Sequence, residues 1–295
     1  MGLIEDFDLY VELFGLSFLA SLVVGIVLPL VGALMFLRRE AFLGIAVPQF
    51  AAAGIALGLL VLPWFPAMSA YFLDHGHPPM TYLLPFAAGS ACLSLTLFGA
   101  MSRGRSERGA LLAGAFATAS ALSILFLTSA PAGSNLAETV MRGEVLLLDI
   151  HGLEVLAGVS LVCLIFLVLF RRVLLVGAFD RDQAVALGLP VRGVELLQLL
   201  LIGCTIGAGV MTVGPVLVFG LLFLPPLAAK ALAKDLHGFL KWVLVVGVLA
   251  VLIAWPLSLQ LDWPYGPSAV CAAAALTILA AGLRRLGLVG ARRIQ

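Results

Sequence analysis

Residues 196–229 read LLQLLLIGCTIGAGVMTVGPVLVFGLLFLPPLAA, and this stretch decides the fold. Its 34 residues include no Asp, Glu, Lys or Arg. As one straight helix it would extend about 51 Å, well beyond the roughly 30 Å of bilayer hydrocarbon. Arg192 and Lys230 flank its two ends, and basic residues collect on the cytoplasmic side of a membrane. The sequence therefore predicts a hairpin that enters and leaves the membrane on one side, turning at residues 211–215, where Gly and Pro adjoin.

Seven further stretches also carry no Asp, Glu, Lys or Arg. They are residues 13–37, 43–73, 78–102, 109–137, 155–170, 242–261 and 263–283. Their length and lack of alternation predict membrane helices rather than barrel strands. A chain with 62% apolar and 11% charged residues also departs from soluble, disordered and nucleic-acid-binding proteins. We expect an all-α polytopic membrane protein with one transmembrane domain, residues 1–295, and about nine segments: eight spans plus a short or broken helix near 216–227.

The charged residues lie in alternate loops. Sixteen of the 17 Lys and Arg residues fall in one set of loops, and ten of the 16 Asp and Glu residues fall in the other. Because basic loops remain cytoplasmic, we expect the N-terminus outside and the C-terminus in the cytoplasm.

Small residues inside the predicted spans are interpreted as packing residues. Glycines four apart, such as Gly54 with Gly58 and Gly203 with Gly207, allow helices to approach closely in lipid. The four cysteines lack Cys-x-x-Cys spacing and are interpreted as small buried apolar residues. They are Cys92, Cys163, Cys204 and Cys271.

Several functional classes are disfavoured by what the sequence lacks. Each of the three lysines follows Ala or Leu, so the chain has no Gly-Lys-[Ser/Thr] phosphate-binding loop. No ionisable Asp, Glu, Lys, Arg or His lies in the middle of a predicted span, which disfavours ion-coupled transporters and intramembrane hydrolases. We therefore expect a chain that is not an enzyme and that receives any nucleotide energy from a partner.

One basic loop is predicted to form a short helix. It begins at Asp180-Arg181-Asp182-Gln183-Ala184, where acidic residues in the first turn favour the helix dipole. Gly188 is placed to end this helix, and Pro190 to begin the next segment. A short, capped helix at this position forms a rigid, projecting knob to which another protein can bind.

The same loop carries a family resemblance. Its pattern Phe-Asp-x-x-x-Ala-x-x-Leu-Gly-Leu, residues 179–189, resembles the cytoplasmic loop of permease subunits of bacterial metal-type ABC importers, the zinc/manganese/iron group. Residues 37–44, 141–147, 213–230 and 264–270 resemble further stretches of that family, in the same order. The resemblance covers nearly the whole chain.

The resemblance implies a type II ABC importer-like permease in the bacterial inner membrane. Such a permease forms the translocation pathway for divalent metal uptake and binds no cofactor itself, since partner ATP-binding subunits use the ATP. It also implies an extracytoplasmic solute-binding protein and a second permease subunit, in a homo- or heterodimer. A second basic loop, residues 230–241, is a candidate for additional ATPase contacts. The implied coupling residues are Asp180, Arg181, Asp182, Gln183, Ala184, Leu187 and Gly188.

The substrate site departs from the family pattern. Metal-transporting members begin their second span with Gly-Asp-x-x-x-His-Ala, whereas this chain has Ile45 and Gln49 at the Asp and His positions. Gln49 and Met211 are the candidate pathway residues, and the alternative role for Gln49 is a structural hydrogen bond within the bundle. Three alternatives remain: a metal held by weaker ligands, a metal chelate or small organic solute, or ligands supplied by a second subunit.

The predicted outer loops contain further candidates. Asp74, His75 and His77 combine carboxylate and imidazole groups that suit zinc or manganese, and they are candidates for outer metal capture. The acidic loop from Glu138 to Glu154 is a candidate docking surface for a binding protein. A membrane facilitator or scaffold outside the ABC class remains the alternative function.

Overall fold

The computed structural model describes residues 7–38, 43–75, 78–101, 107–130, 150–179 and 181–286, and every regular element in these ranges is helical. The all-α prediction is confirmed, and eight of the helices are long and apolar enough to cross a membrane. The elements are α1 (Phe7–Leu37), α2 (Leu43–Val61), a 3-10 turn (Leu62–Trp64), α3 (Pro66–His75), α4 (Met80–Met101), α5 (Glu107–Ser129), α6 (Ile150–Leu169), α7 (Arg171–Phe179), α8 (Arg181–Ala186), α9 (Val191–Leu232), α10 (Leu236–Leu261) and α11 (Tyr265–Arg285).

The long helix α9 is interrupted at Gly214, within the predicted turn. Gly214 has φ 79° and ψ 160°, a conformation that is essentially restricted to glycine. A Cβ placed on Gly209 would lie 3.2 Å from Cγ2 of Val218, whereas nine residues of straight helix would separate them by about 13 Å. The chain therefore turns back on itself, and we call its two arms α9a (191–213) and α9b (215–232).

Both ends of α9 lie at the same end of the bundle. Arg38, directly after α1, contacts Glu195 near the start of α9a. Near the end of α9b, the Lys230 ammonium lies 5.4 Å from the centre of the Phe36 ring of α1. The predicted hairpin is thus confirmed, and with α9 counted as two arms the eight span-forming helices give the nine expected segments.

The α9 hairpin occupies the centre of the molecule. It packs against α1, α2, α4, α6, α10 and α11. The predicted glycine packing is confirmed here, because Gly207 of α9a faces the backbone of Ala88 in α4, and Gly54 of α2 faces Phe86 in the same helix. Helix α4 is therefore in close backbone contact with both α2 and α9a.

Some boundaries and burial predictions differ from the structure. The apolar run 43–73 is not one segment, because prolines 63 and 66 end α2 in a 3-10 turn and begin α3. Helix α6 begins at Ile150 and so includes His151 and Glu154. The charge-free run 155–170 begins after both residues, so it does not show this start of the helix. Among the cysteines, Cys163 is buried as predicted, but the interpretation is wrong for Cys271, which is exposed on α11.

Candidate coupling surface and translocation pathway

The loop predicted to form a knob does form one. Helix α8 ends in a turn where the Leu189 N–H donates to Ala184 O at 3.1 Å and the Gly188 N–H donates to Val185 O at 2.9 Å. This pair of bonds is the Schellman pattern, which requires a left-handed residue just after the helix. Gly188 supplies it with φ 71°. The predicted helix end at Gly188 is confirmed, and the next helix begins directly after Pro190.

Three large apolar side chains are exposed on this knob, residues 179–188, which we call the α8 knob. Phe179, Val185 and Leu187 are 65%, 59% and 57% exposed. Ala184 is fully buried and anchors the helix against the molecule. An exposed apolar projection with a buried anchor is typical of a surface that another protein covers.

The predicted coupling residues differ in whether their side chains are exposed or buried. Asp182, Gln183, Leu187 and Gly188 are exposed, whereas Ala184 faces inward. The side chain of Arg181 and all of Asp180 lie outside the described residues. Sequence reasoning did not single out Phe179 and Val185 as contact residues, although both lie within the family-like pattern.

A polar cluster beneath the α8 knob was also not anticipated. Arg38 Nη1 donates to Gln198 Oε1 at 2.7 Å, and Arg38 Nη2 donates to Glu195 Oε1 at 3.1 Å. Gln198 is 3% exposed. These residues join the end of α1 to the start of α9a, and their separation along the chain leaves no local signal for the contact.

The candidate pathway residues Gln49 and Met211 lie at different depths. Gly54 of α2 and Gly207 of α9a meet α4 at nearly the same level, against Phe86 and Ala88. Helices α2 and α9a run in the same direction, so Gln49 lies five residues to one side of this level and Met211 four residues to the other. The two side chains are separated by roughly 13 Å along the bundle, and they do not form one site.

The surroundings of Gln49 are largely apolar. Gln49 and Ile45 are half-buried, and α2 continues through the buried Pro48. The Gln49 amide makes no hydrogen bond to another described residue. Met211 is half-buried against the core beside the hairpin turn. In the described part of the chain, no group of three or more His, Cys, Asp or Glu side chains is arranged to hold a metal ion.

Two other predicted surfaces are only partly described. Asp74 is exposed near the end of α3, and His75 is the last residue of that helix. The His75 side chain, all of His77 and the acidic loop 131–149 lie outside the described residues. In the second basic loop, Asp235 caps α10 by accepting a hydrogen bond from Gly238 N at 2.6 Å, and Lys234 and Lys241 are exposed.

Known proteins are similar to this chain over nearly the whole length of the bundle. The sequence profile described as "ABC 3 transport family" matches residues 11–283. The manganese transport system membrane protein MntC of Halalkalibacterium halodurans is 26% identical over 262 residues, which are 88% of this chain and 84% of the relative. The chelated iron transport system membrane protein YfeC of Yersinia pestis is 26% identical over 253 residues, 83% of this chain and 78% of the relative.

A solved structure has the same fold. The structure of PsaBC from Streptococcus pneumoniae in complex with Fab includes a chain that superposes with a TM-score of 0.75, at 20% identity. The match covers 94% of this chain and 95% of that chain.

Proposed function

We propose, because this chain belongs to the ABC 3 transport family, that it forms the translocation pathway of an importer for a divalent metal ion, manganese or iron. The observation that carries the proposal is the family match over residues 11–283 of a membrane bundle. The named cargoes of the relatives, manganese and chelated iron, support the choice of metal.

The α8 knob supports a role for partner ATPases. In the proposed complex, cytoplasmic ATP-binding subunits cover Phe179, Val185 and Leu187, and ATP is used by those subunits. In this proposal, one end of the bundle faces the cytoplasm, the end that carries the α8 knob, Arg38 and Lys230. The C-terminus then lies on the cytoplasmic side of the inner membrane and the N-terminus on the outer side. A solute-binding protein delivers the cargo at the other end, and a second permease subunit completes the pathway.

Reconstituted transport tests the proposed cargo. The complex of the chain with its partner ATPase and solute-binding protein is placed in liposomes, with ATP enclosed inside them or, as a control, left out. We expect saturable, ATP-dependent uptake of radioactive manganese or ferrous iron. Absence of ATP-dependent uptake for manganese, iron and zinc alike would refute the metal-ion proposal.

The coupling role has its own matched pair of variants. Leu187→Asp changes an exposed side chain of the α8 knob, whereas Leu286→Asp changes an even more exposed leucine just after α11. We expect Leu187→Asp to weaken ATPase binding about 30-fold, the effect of losing a contact worth about 2 kcal/mol. Leu286→Asp should leave binding unchanged. Equal affinity of the two variants would reject the α8 knob as the docking surface.

A second candidate cargo is a metal chelate, and Ile45 and Gln49 favour it. An isoleucine cannot coordinate a metal, and a glutamine amide is a neutral, weak ligand beside the carboxylate and imidazole that usually hold transition metals. Uptake of ferric citrate and of free manganese in the same liposomes separates the two cargoes. Under the chelate alternative, ferric citrate is transported by the natural chain, and free manganese uptake appears only in the Ile45→Asp, Gln49→His double variant.

A further inference from the structure

The sequence around Arg38 connects three functional parts of the chain. Arg38 follows the last residue of α1, and α2, which carries Gln49, begins at Leu43. Its partners Glu195 and Gln198 lie in the first two turns of α9a, and α9a begins three residues after Gly188, where the α8 knob ends. One arginine therefore joins the end of α1 to the helix that the α8 knob leads into.

The geometry of this contact favours a rigid connection. Glu195 and Gln198 are three residues apart and share one face of α9a, and the two terminal nitrogens of Arg38 each bind one of them, at 3.1 and 2.7 Å. The side chains of Arg38 and Glu195 are each 19% exposed, and Gln198 is buried. Charge-assisted bonds of a planar guanidinium in such surroundings fix orientation as well as distance.

Apolar packing supports the contact from the membrane side. Leu34, one turn before Arg38, packs in one cluster with Val194 and Leu201 of α9a. The end of α1 and the start of α9a are therefore packed together as well as hydrogen-bonded. Glycines at positive φ bound this unit along the chain, Gly188 before α9a and Gly214 after it, and residues of this kind are where backbones turn between rigid parts.

We infer that Arg38, through Glu195 and Gln198, is a positioning residue that transmits displacement of the α8 knob through α9a to the end of α1, and so to α2 and its candidate pathway residue Gln49. This inference rests on the proposed function, because it assumes that an ATPase moves the α8 knob. Without the link, only apolar packing would hold α9a against the end of α1, and more ATP would be hydrolysed for each movement of α2.

The test measures cargo taken up per ATP hydrolysed by the complete complex in liposomes. We expect Arg38→Ala to retain ATP hydrolysis and assembly with the ATPase while uptake per ATP falls at least tenfold. The matched control is Arg171→Ala, which removes an exposed basic residue at the start of α7 and should keep the natural ratio.

Two milder variants keep the inference testable if Arg38→Ala does not assemble. Gln198→Met retains size and removes one acceptor, and Arg38→Lys retains the charge but not the two-pronged geometry. We expect both to lower uptake per ATP by about threefold to tenfold, because each retains part of the link. An unchanged ratio in the assembled variants would overturn the inference, as would a loss of uptake that is fully accounted for by less assembled complex.

Failure of the Arg38 link and failure of the proposed function give different results. If the natural complex transports none of the metals or ferric citrate, the proposed cargo is wrong. If the natural complex transports and the Arg38 and Gln198 variants keep its ratio, only the link is wrong.

Discussion

The inner helices α1 and α9 and the outer helices α5 and α6 are equally apolar but differ in how they are packed. In the most apolar 18-residue stretch of each helix, 78% of the residues in α9 and 67% in α1 are buried. The corresponding share is 28% in each of α5 and α6. Hydropathy alone therefore does not distinguish a central helix from a peripheral one. The difference lies in the small residues and in what they contact.

Several glycines of the bundle interior lie against the backbone of a neighbouring helix, whereas Gly114 and Gly158 of the outer helices face open space. A Cβ on Gly32 of α1 would overlap the carbonyl oxygen of Leu222 in α9b, and a Cβ on Gly247 of α10 would overlap the backbone of Gly25. A Cβ on Gly114 of α5 or Gly158 of α6 would meet nothing within 4 Å. In lipid, apolar surface gains little by leaving one hydrocarbon for another, so such close backbone contacts supply much of the stability.

The largest effect is expected for a bulky residue at Gly32. Gly32→Leu would push α1 away from α9b, because the obstacle is backbone and cannot rotate away. We expect a loss of about 4 kcal/mol in the free energy of unfolding, at the severe end for core overpacking. The comparison is made by denaturant titration in detergent micelles, and Gly158→Leu on α6 is the control, with no loss expected. Similar losses in both variants would contradict the distinction between inner and outer helices.

The next effect tests whether the outer helices face lipid. Leu161, in the middle of α6, and Leu187, in the α8 knob, have nearly the same exposure, 59% and 57%. An aspartate at the centre of a lipid-facing helix costs about 3 kcal/mol, so we expect Leu161→Asp to reduce membrane-inserted protein strongly. Leu187→Asp should change the free energy of unfolding by less than about 0.5 kcal/mol. Equal yields of the two inserted variants would show that water or protein, not lipid, surrounds α6.

Local signals predicted much of the fold. The charge-free run 196–229 and the adjoining Gly214 and Pro215 predicted a hairpin with its turn in the correct place, because only glycine tolerates the backbone angles found there. Apolar composition alone predicts one segment over residues 43–73, because it does not register a 3-10 break. The prolines at 63 and 66 were the available signal.

The candidate site was less predictable. The helix of the α8 knob and its end at Gly188 followed from capping chemistry, so sequence was sufficient there. The depth difference between Gln49 and Met211 depends on how α2 and α9a each pack on α4, which no local pattern reveals. The bonds from Arg38 to Glu195 and Gln198 join residues 157 and 160 positions apart, and only the assembled bundle brings them together.

A smaller effect is expected at the turn of the inner hairpin. Gly214→Ala places a Cβ on a backbone with φ 79°, where strain costs about 1–3 kcal/mol. We expect a loss of about 2 kcal/mol, within that range. Gly193→Ala, at the start of α9a where a Cβ meets nothing within 4 Å, should be neutral or more stable by up to about 1 kcal/mol. Unfolding midpoints in detergent provide the measurement, and an equally stable Gly214→Ala variant would show that the turn does not require a glycine.

The smallest effect separates two serines that are equally buried, Ser21 of α1 and Ser123 of α5, both 0% exposed. The Ser21 hydroxyl accepts a hydrogen bond from Trp255 Nε1 at 2.8 Å and donates to Phe18 O at 2.7 Å. The Ser123 hydroxyl has no hydrogen-bond partner among the described residues. Ser21→Ala should therefore cost about 0.6 kcal/mol, the average for such bonds between membrane helices.

Ser123→Ala should be neutral or slightly stabilising, since it removes a buried hydroxyl that gains nothing in the folded state. Both values come from denaturant titration, and the Trp255 fluorescence maximum gives an independent check, because only Ser21→Ala alters the partner of the indole N–H. A loss on Ser123→Ala as large as that on Ser21→Ala would mean that α5 also depends on a polar contact, made by a residue outside the described ranges. Buried hydrogen bonds would then stabilise α5 as well as α1, and would not distinguish the inner helices from the outer ones.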